Sequence, residues 1–518
     1  MSHKGIVAAG HQLTAQAAVD VLLEGGNAFD AMIAALFAAC VAEPVLASIG
    51  GGGFLLFDNT DGRSGVLDFF VQTPREKRPV NEIEFYPIMA DFGTSQQEFH
   101  IGQGSIATPG MVRGLFAMHR QMGSLPMKDL VAPAIHLART GVPLSGLQSY
   151  IFSVVAPIYL ASSQSREMFE SPKCPGKTLL EGEIYRNPDL ADMLDCLALE
   201  GEDLFYRGEI AQLIARNSVA SGGYLQSDDL ERYGVIERRP LEFKYRGNLL
   251  RTNPPPSSGG ILIALAHKLI EGIPVDDWIH DEATRIRLMA EVMRQTSKAR
   301  LDAHLDEATA HLDSRRMLDQ GFLKRYQQEV YGRAEAMRGT THISVTDAQG
   351  NIATVTVSNG EGCGAIIPGT GIMLNNMLGE EDINPHGFHC WQSDQRMTSM
   401  MAPTIVQLED GGTIATGSGG SNRIRSAIYQ VLLGIMDQRM DVESAVLAPR
   451  IHTEGELLSI EGGFNPSTIE LLQKDWPEHV IWDERNLFFG GVHTVMSEPR
   501  SSFSGSGDPR RDGVCMLA

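Results

Sequence analysis

The stretch Gly339-Thr340-Thr341-His342-Ile343-Ser344-Val345-Thr346-Asp347 carries the most reactive arrangement in this 518-residue chain. A threonine hydroxyl is a weak nucleophile and needs an adjacent base. If the bond before Thr340 is cut, the new α-amino group of Thr340 can be that base. Its unperturbed pKa of about 7.7–8 suits proton exchange near neutral pH. The cut can be made by the chain itself: the Thr340 hydroxyl attacks the Gly339 carbonyl, an ester forms, and water opens it. Glycine at 339 tolerates the backbone strain this needs. On spacing alone, the ordinary reading is a turn leading into a half-buried strand, because Ile343 and Val345 alternate with Ser344 and Thr346.

Other residues invite chemistry less strongly. Gly50–Gly53 feeds Phe54-Leu55-Leu56-Phe57, a strand rather than a helix, and lacks the spacing of a phosphate cradle. Close backbone packing is the expected use. His386, His389 and Cys390 cluster in Asn384–Trp391. No carboxylate spacing completes a zinc shell, so no metal is expected there. That loop reads instead as a cover over a pocket, with Phe388 and Trp391 as apolar contacts. The six cysteines form no CxxC pair and read as buried thiols. No cofactor is expected.

The elements that must position Thr340 follow from periodicity. Residues 12–24 and 28–42 read as helices, the second apolar nearly all round and so buried. Helical segments are expected within 107–145, around 187–201 and 208–217, and over 278–302. Residues 240–252 read as strands, and a helix is expected from Ile261 after the Asn253–Gly260 loop. Residues 303–338 read as charged and mostly helical. Strands 342–347 and 352–358 flank the Ala348–Asn351 turn, and strands 403–408 and 412–416 precede Gly417–Arg423 and a helix. Strands on both sides of residue 340, wrapped by helices, predict a layered α/β fold with one shared core.

Composition limits the partners. Sixty-four acidic against 43 basic residues give a net charge of −21, which repels phosphate backbones and acidic membranes. Neither nucleic acid nor membrane is expected as a partner. The first residues carry no apolar run long enough for a signal peptide, so a cytoplasmic location is expected.

Taken together, the motifs resemble the gamma-glutamyltransferase (gamma-glutamyltranspeptidase) family of N-terminal-nucleophile hydrolases. They include GIVAAGHQLTAQAAVDVLLEGGNAFDA, EPVLASIGGGGFLLF, SIATPGMVRGL, NPPPSSGG, GTTHISVTDAQGN, LNNM, GSGGSNRIRSA, APRIHTEG and SGSGDPRRDG. The resemblance implies a four-layer αββα sandwich built jointly by a large subunit, 1–339, and a small subunit, 340–518. It implies cleavage between Gly339 and Thr340, with Thr340 as nucleophile and Ser358 as its orienting hydroxyl. Thr356 lies on the same strand face as Ser358. Gly419 and Gly420 are implied as the oxyanion-hole pair, with Ser421 as an alternative by one residue of register.

The substrate clamp departs from the family pattern. Phe70 stands where the family has an arginine that grips the α-carboxylate of the gamma-glutamyl group, and Arg75 is the nearest alternative. On the α-amino side Gly360 replaces an asparagine, with Asn359 one residue early. Glu380 and Glu381 supply the acidic group, and only Ser399 survives of a serine pair. The expected function is a self-processing gamma-glutamyltransferase-like amidase and acyltransferase that passes an acyl group to water or an amine. Glutathione metabolism is the setting the family implies. The alternatives are a hydrolase of other acyl amides, such as the side-chain amide of a cephalosporin-like compound, and an uncleaved, non-catalytic metabolite binder. The expected partners are a small amide substrate, an amine or water acceptor, and the two subunits of one precursor, with a homodimer of such heterodimers as a further assembly to test.

Overall fold

The computed structural model describes residues 3–91, 96–302, 318, 339–384, 386–499 and 502–518. The helical expectation for 303–338 therefore lies almost wholly outside the described residues. Two antiparallel sheets organise the rest. The first runs in the order Val514–Leu517, Gly5–Ala9, Thr341–Asp347, Ile352–Ser358, Gly52–Asp58, Ser64–Phe69, Ile236–Arg238. The second runs Ser502–Ser506, Gly491–Glu498, Thr413–Gly419, Thr404–Gln407, Asn248–Thr252, Leu241–Tyr245. Each sheet takes strands from both sides of residue 340.

The sheets pack against each other through Thr341–Asp347 and Ile352–Ser358 on one side and Thr413–Gly419 and Gly491–Glu498 on the other. Helices cover the outer faces. Gln12–Leu23 and Ala28–Ala42 pack on the first sheet; Gly259–Ile270 and Arg423–Met436 pack on the second, and Glu282–Asp302 packs on Gly259–Ile270. Ala28–Ala42 is buried along its whole length, as its all-round apolar character requires. Its start is fixed by a capping box: Asn27 accepts from the Phe29 and Asp30 N–H groups, and Asp30 accepts from Asn27 N–H. Among the described residues no helix is long and apolar enough to cross a membrane.

The strand after Thr340 is not half-buried as its alternation suggests. All seven residues of Thr341–Asp347 are buried. Ile343 and Val345 face the helix-side core. His342 and Ser344 face the second sheet, where His342 Nδ1 meets Thr356 Oγ1 at 2.8 Å and Nε2 meets Ser344 Oγ at 2.9 Å. The alternation thus separates an apolar core from a polar seam between sheets. The turn after this strand is held by Asp347, whose Oδ1 accepts the N–H groups of Gln349, Gly350 and Asn351 and whose Oδ2 accepts that of Ala28.

Three other expectations shift. The helical stretch within 107–145 is two helices, Met111–Met122 and Met127–Thr140, broken at Gly123-Ser124. The helix expected from Ile261 begins at Gly259, and the helix expected over 278–302 begins at Glu282. Periodicity did not reveal the strands Gly5–Ala9, Gly491–Glu498 and Val514–Leu517, although the first pairs with Thr341–Asp347, the second packs across the seam from it and the third pairs with the first.

Candidate active site

The register of two neighbouring strands sets the site. Thr341 pairs with Val357, which brings Ser358 beside Thr340 at the end of the ladder. Thr340 is buried, and its hydroxyl donates to the Gly339 carbonyl oxygen at 2.7 Å. Ser358 Oγ donates to the same oxygen at 2.9 Å and accepts the Gly360 N–H at 3.0 Å. Glu361 Oε1 accepts the Gly339 N–H at 2.6 Å, and Arg511 Nη1 donates to the Thr340 carbonyl at 3.4 Å. One carbonyl, Gly339, thus receives both hydroxyls that chemistry on it would need.

The frame around this peptide is polar and buried. Glu43, at the end of helix Ala28–Ala42, accepts from the Thr341 hydroxyl at 2.6 Å and from Thr14 at 2.7 Å. Burial pushes its carboxyl pKa up, against the pull of these two hydrogen bonds. Burial, reinforced by the neighbouring His493, holds His342 well below the usual histidine range, so its ring is neutral at physiological pH. Both its nitrogens are committed to hydroxyl partners, and it positions the strand. Gly417 must be glycine, because a Cβ there would overlap the His342 ring. Arg511 is brought in by a fully buried set of charges: Arg450 to Asp508 at 2.7 Å, Arg510 to Glu461 at 2.5 Å and to Asp508 at 3.2 Å. Burial lowers the Arg511 pKa to about 10, which still leaves it cationic at pH 7.

Beside Thr340 and Ser358 lies a cleft of about 490 Å3, counting its open mouth. Phe70, Glu380 and Ser399 line it. Glu381 is exposed and lies outside the lining; its neighbour Asp382 takes the place beside Glu380 and accepts from Ser421 Oγ at 2.6 Å. The short 3-10 turn Glu381–Ile383 turns the chain between them. Asn359 also lies outside the lining: it is fully buried, and neither of its amide atoms has a hydrogen-bond partner among the described residues. Gly360, with φ +62°, lies so close to Asn376 Oδ1 and Glu380 Oε1 that a Cβ there would overlap both. Gly419 ends its strand against the Thr340 carbonyl, where a Cβ would again overlap. Gly420, with φ +117°, follows it, and Ser421 lines the cleft.

No arginine replaces the missing clamp from nearby sequence. Arg75 pairs with Asp394 at 2.8 Å and Asp228 at 3.3 Å, away from the cleft. Arg396 lies under residue 70, bonded to the Phe70 carbonyl and the Tyr233 hydroxyl and to Gly234 O at 2.6 Å. The cleft's arginine is Arg300, from the far end of the sequence-predicted 278–302 helix, with Nη1 on Asn422 Oδ1 at 3.2 Å. The loop expected to cover the pocket does not line it. Phe388 packs on Phe85 and His100, and Trp391 packs on Tyr224 with Lys77 over its ring. Among the described residues no His, Cys, Asp and Glu group could hold a metal ion.

Sequence reasoning missed Glu43, Arg300, Glu361 and Arg511. Arg511 sits in the quoted SGSGDPRRDG motif, which was a usable signal; a buried acid such as Glu361, three residues past Ser358, carries none.

Comparisons with known proteins cover nearly the whole chain. The gamma-glutamyltranspeptidase family model matches residues 14–518. The acylase ACY 1 proenzyme of Pseudomonas sp. (strain SE83) is 29% identical, covering 99% of this chain and 93% of its own length. The glutathione hydrolase proenzyme of Escherichia coli (strain K12) is also 29% identical, covering 98% of this chain and 90% of its own length. The crystal structure of cephalosporin acylase from Bacillus halodurans superposes with a TM-score of 0.83 at 24% identity, covering 99% of this chain and 96% of that one. The match spans the strands that carry Thr340, Ser358 and Gly419 as well as the helices around them, and the chain belongs to the gamma-glutamyltranspeptidase family.

Proposed function

We propose that this chain cuts itself between Gly339 and Thr340 and then works as an N-terminal threonine amidase whose preferred acyl donors lack an α-carboxylate. The observation that carries this reading is the pair of hydroxyls on the Gly339 carbonyl, 2.7 and 2.9 Å away, at the edge of a cleft lined by Phe70. In processing, Thr340 Oγ bonds to the Gly339 carbonyl carbon and the C–N bond breaks, giving an ester and a free Thr340 amine. Water then opens the ester to a Gly339 carboxylate and restores the hydroxyl. In turnover the amine takes the Oγ proton as Oγ attacks the substrate carbonyl, and returns it to the departing amine. Water or a second amine then releases the acyl group. Gly419 and Gly420, at the strand end beside Thr340, fit the role of oxyanion donors. The two sheets with helices outside each support a four-layer αββα sandwich shared by segments 1–339 and 340–518.

Phe70 supplies neither of the two charge-assisted bonds by which an arginine holds a carboxylate, each worth roughly 1.5–3 kcal/mol. A gamma-glutamyl anilide should therefore fall roughly 10²–10⁴ in kcat/KM below what an intact clamp would give. A second reading has its own support: Glu380 and Arg300 share the cleft, so an acyl group bearing both an ammonium and a carboxylate has partners for each. The test is denaturing electrophoresis with mass measurement for fragments 1–339 and 340–518, followed by kcat/KM for gamma-glutamyl against glutaryl anilide. A tenfold or greater advantage for the gamma-glutamyl compound rejects the first reading in favour of the second.

A further inference from the structure

Gly339 lies just outside the nucleophile strand, which begins at Thr341, so no ladder pairing orients it. Among the described residues three hydrogen bonds hold it, and two of them come from one short loop, 358–361. Ser358 Oγ donates to its carbonyl oxygen at 2.9 Å, and Glu361 Oε1 accepts its N–H at 2.6 Å. The third comes from the Thr340 hydroxyl, the attacking group itself. The loop thus grips residue 339 at both ends, and Gly360, at φ +62°, turns it back between Ser358 and Glu361. Glu361 is held in turn. Its N–H donates to Asn376 Oδ1 at 2.8 Å, and the Gly362 N–H donates to the same oxygen at 3.2 Å. Asn376 is the second asparagine of the LNNM motif.

In the cut, Thr340 Oγ bonds to the Gly339 carbonyl carbon, the C–N bond breaks, and the Oγ proton goes to the nitrogen that leaves as the Thr340 amine. As Oγ turns onto that carbon, its own hydrogen bond to the carbonyl is lost, and the bond from Ser358 follows the oxygen as it moves. The N–H on Glu361 lies on the other side of the Gly339 Cα and takes no part in the bond changes. From this we infer that Glu361 is a positioning residue of self-cleavage: its carboxylate fixes residue 339 so that the carbonyl presents its face to Thr340 Oγ. The inference rests on the self-cleavage proposed above. Glycine at 339 makes such an anchor necessary, because a backbone without a Cβ turns freely. The fit is close: a Cβ at 339 would stand 3.1 and 3.2 Å from the two Glu361 carboxylate oxygens. A buried carboxylate needs a balancing charge, and Arg511 lines the same cavity as Gly339 and Glu361. Arg511 Nη1 reaches the Thr340 carbonyl at 3.4 Å. The two charges therefore bracket the bond to be cut, the carboxylate on residue 339 and the guanidinium on residue 340.

The test follows the rate at which fragment 340–518 appears from full-length chain made by cell-free translation, with a thermal melt on each purified variant. Glu361→Ala should slow the cut by about 10²-fold, the effect of a misplacement of roughly 1 Å. Glu361→Gln keeps an acceptor oxygen but loses the charge, and should be slowed by about three- to tenfold. The cavity beside Gly339, about 330 Å3 with its mouth, has room for formate, a carboxylate without a chain. Added formate should speed Glu361→Ala by about fivefold or more, and formamide at the same concentration should not, because only formate returns a charged acceptor to the Gly339 N–H. A loss due to altered structure would respond to neither. Folded Glu361→Ala that cuts within about threefold of the wild-type rate overturns the inference, and so does slowed Glu361→Ala that formate leaves unchanged. If Glu361→Ala does not fold, Glu361→Gln decides, and a wild-type rate in that variant overturns it. Wild-type chain that yields no fragments overturns self-cleavage itself, and this inference with it.

Discussion

Replacing Ser358 by alanine should slow self-cleavage without abolishing the fold. As Thr340 Oγ turns onto the Gly339 carbon, its own 2.7 Å hydrogen bond to the carbonyl oxygen is lost. Negative charge develops on that oxygen at the same moment. Ser358, at 2.9 Å, is then the side-chain donor left facing it. Removing one such donor costs about 3–4 kcal/mol in comparable oxyanion sites, which is roughly 10²–10³ in rate. The same change deprives the Gly360 N–H of its acceptor, at about 1–3 kcal/mol of stability. Ser358→Thr keeps the hydroxyl and should process within about tenfold of wild type. The assay is the rate at which fragment 340–518 accumulates on denaturing gels, with a thermal melt on each variant to establish that it is folded. A folded Ser358→Ala protein that cleaves within threefold of the wild-type rate would refute the argument, because the scissile carbonyl would then be served by some other group.

Three further outcomes are expected. Thr340→Ala should remain a single chain and turn over no amide, whereas Thr340→Ser should still yield fragment 340–518; a cut Thr340→Ala protein would show that the nucleophile is elsewhere. The acylation rate of mature enzyme should rise with pH through the Thr340 amine, at or below its unperturbed value of about 8, and a flat profile from pH 5 to 9 with acylation rate-limiting would remove the amine as base. Burial lowers His267 to about 4, with its ring set among Tyr245, Phe243 and Tyr429. Between that value and the unfolded value of about 6.5 only the unfolded chain takes the proton, so stability is lost as pH falls through 6.5. His267→Phe removes this loss, and its stability relative to wild type should improve by roughly 2–3 kcal/mol between pH 7 and pH 4.5, at about 1.4 kcal/mol per pH unit. Parallel denaturant curves for the two proteins at both pH values would count against a neutral buried ring.

The sequence displayed what covalent chemistry demands by residue type and what packing demands by period. Thr340 after Gly339, and Ser358 at the end of the next strand, are of the first kind. Helix Ala28–Ala42 is of the second. A period of two states only that two faces differ, so it could not tell solvent from the polar seam where His342, Ser344, Thr354 and Thr356 are buried. The lining of the cleft was harder still. Arg300, Glu43 and Arg511 reach the site from 40, 297 and 171 residues away along the chain, and no local pattern marks them. Glu381 and Asp382 differ by one position in a 3-10 turn, and spacing cannot say which of them faces Thr340.

The division between machinery and clamp has a structural cause. Thr340 and Ser358 are fixed by strand register, and a slip of one residue would turn Ser358 to the opposite face of the sheet. Position 70 is fixed in another way, through its main chain. Its N–H donates to Asp68 Oδ1 at 3.1 Å, and its carbonyl accepts from Tyr233 at 2.7 Å and from Arg396. None of these bonds depends on which side chain residue 70 carries. The Phe70 ring adds a stacked contact with Phe54, centroids 5.4 Å apart, and otherwise faces the cleft. A guanidinium at 70 would forfeit that contact and leave the backbone anchors unchanged. On the amidase reading proposed above, a new side chain at residue 70 alters what the cleft offers a donor while the geometry around the Gly339 carbonyl stays as it is.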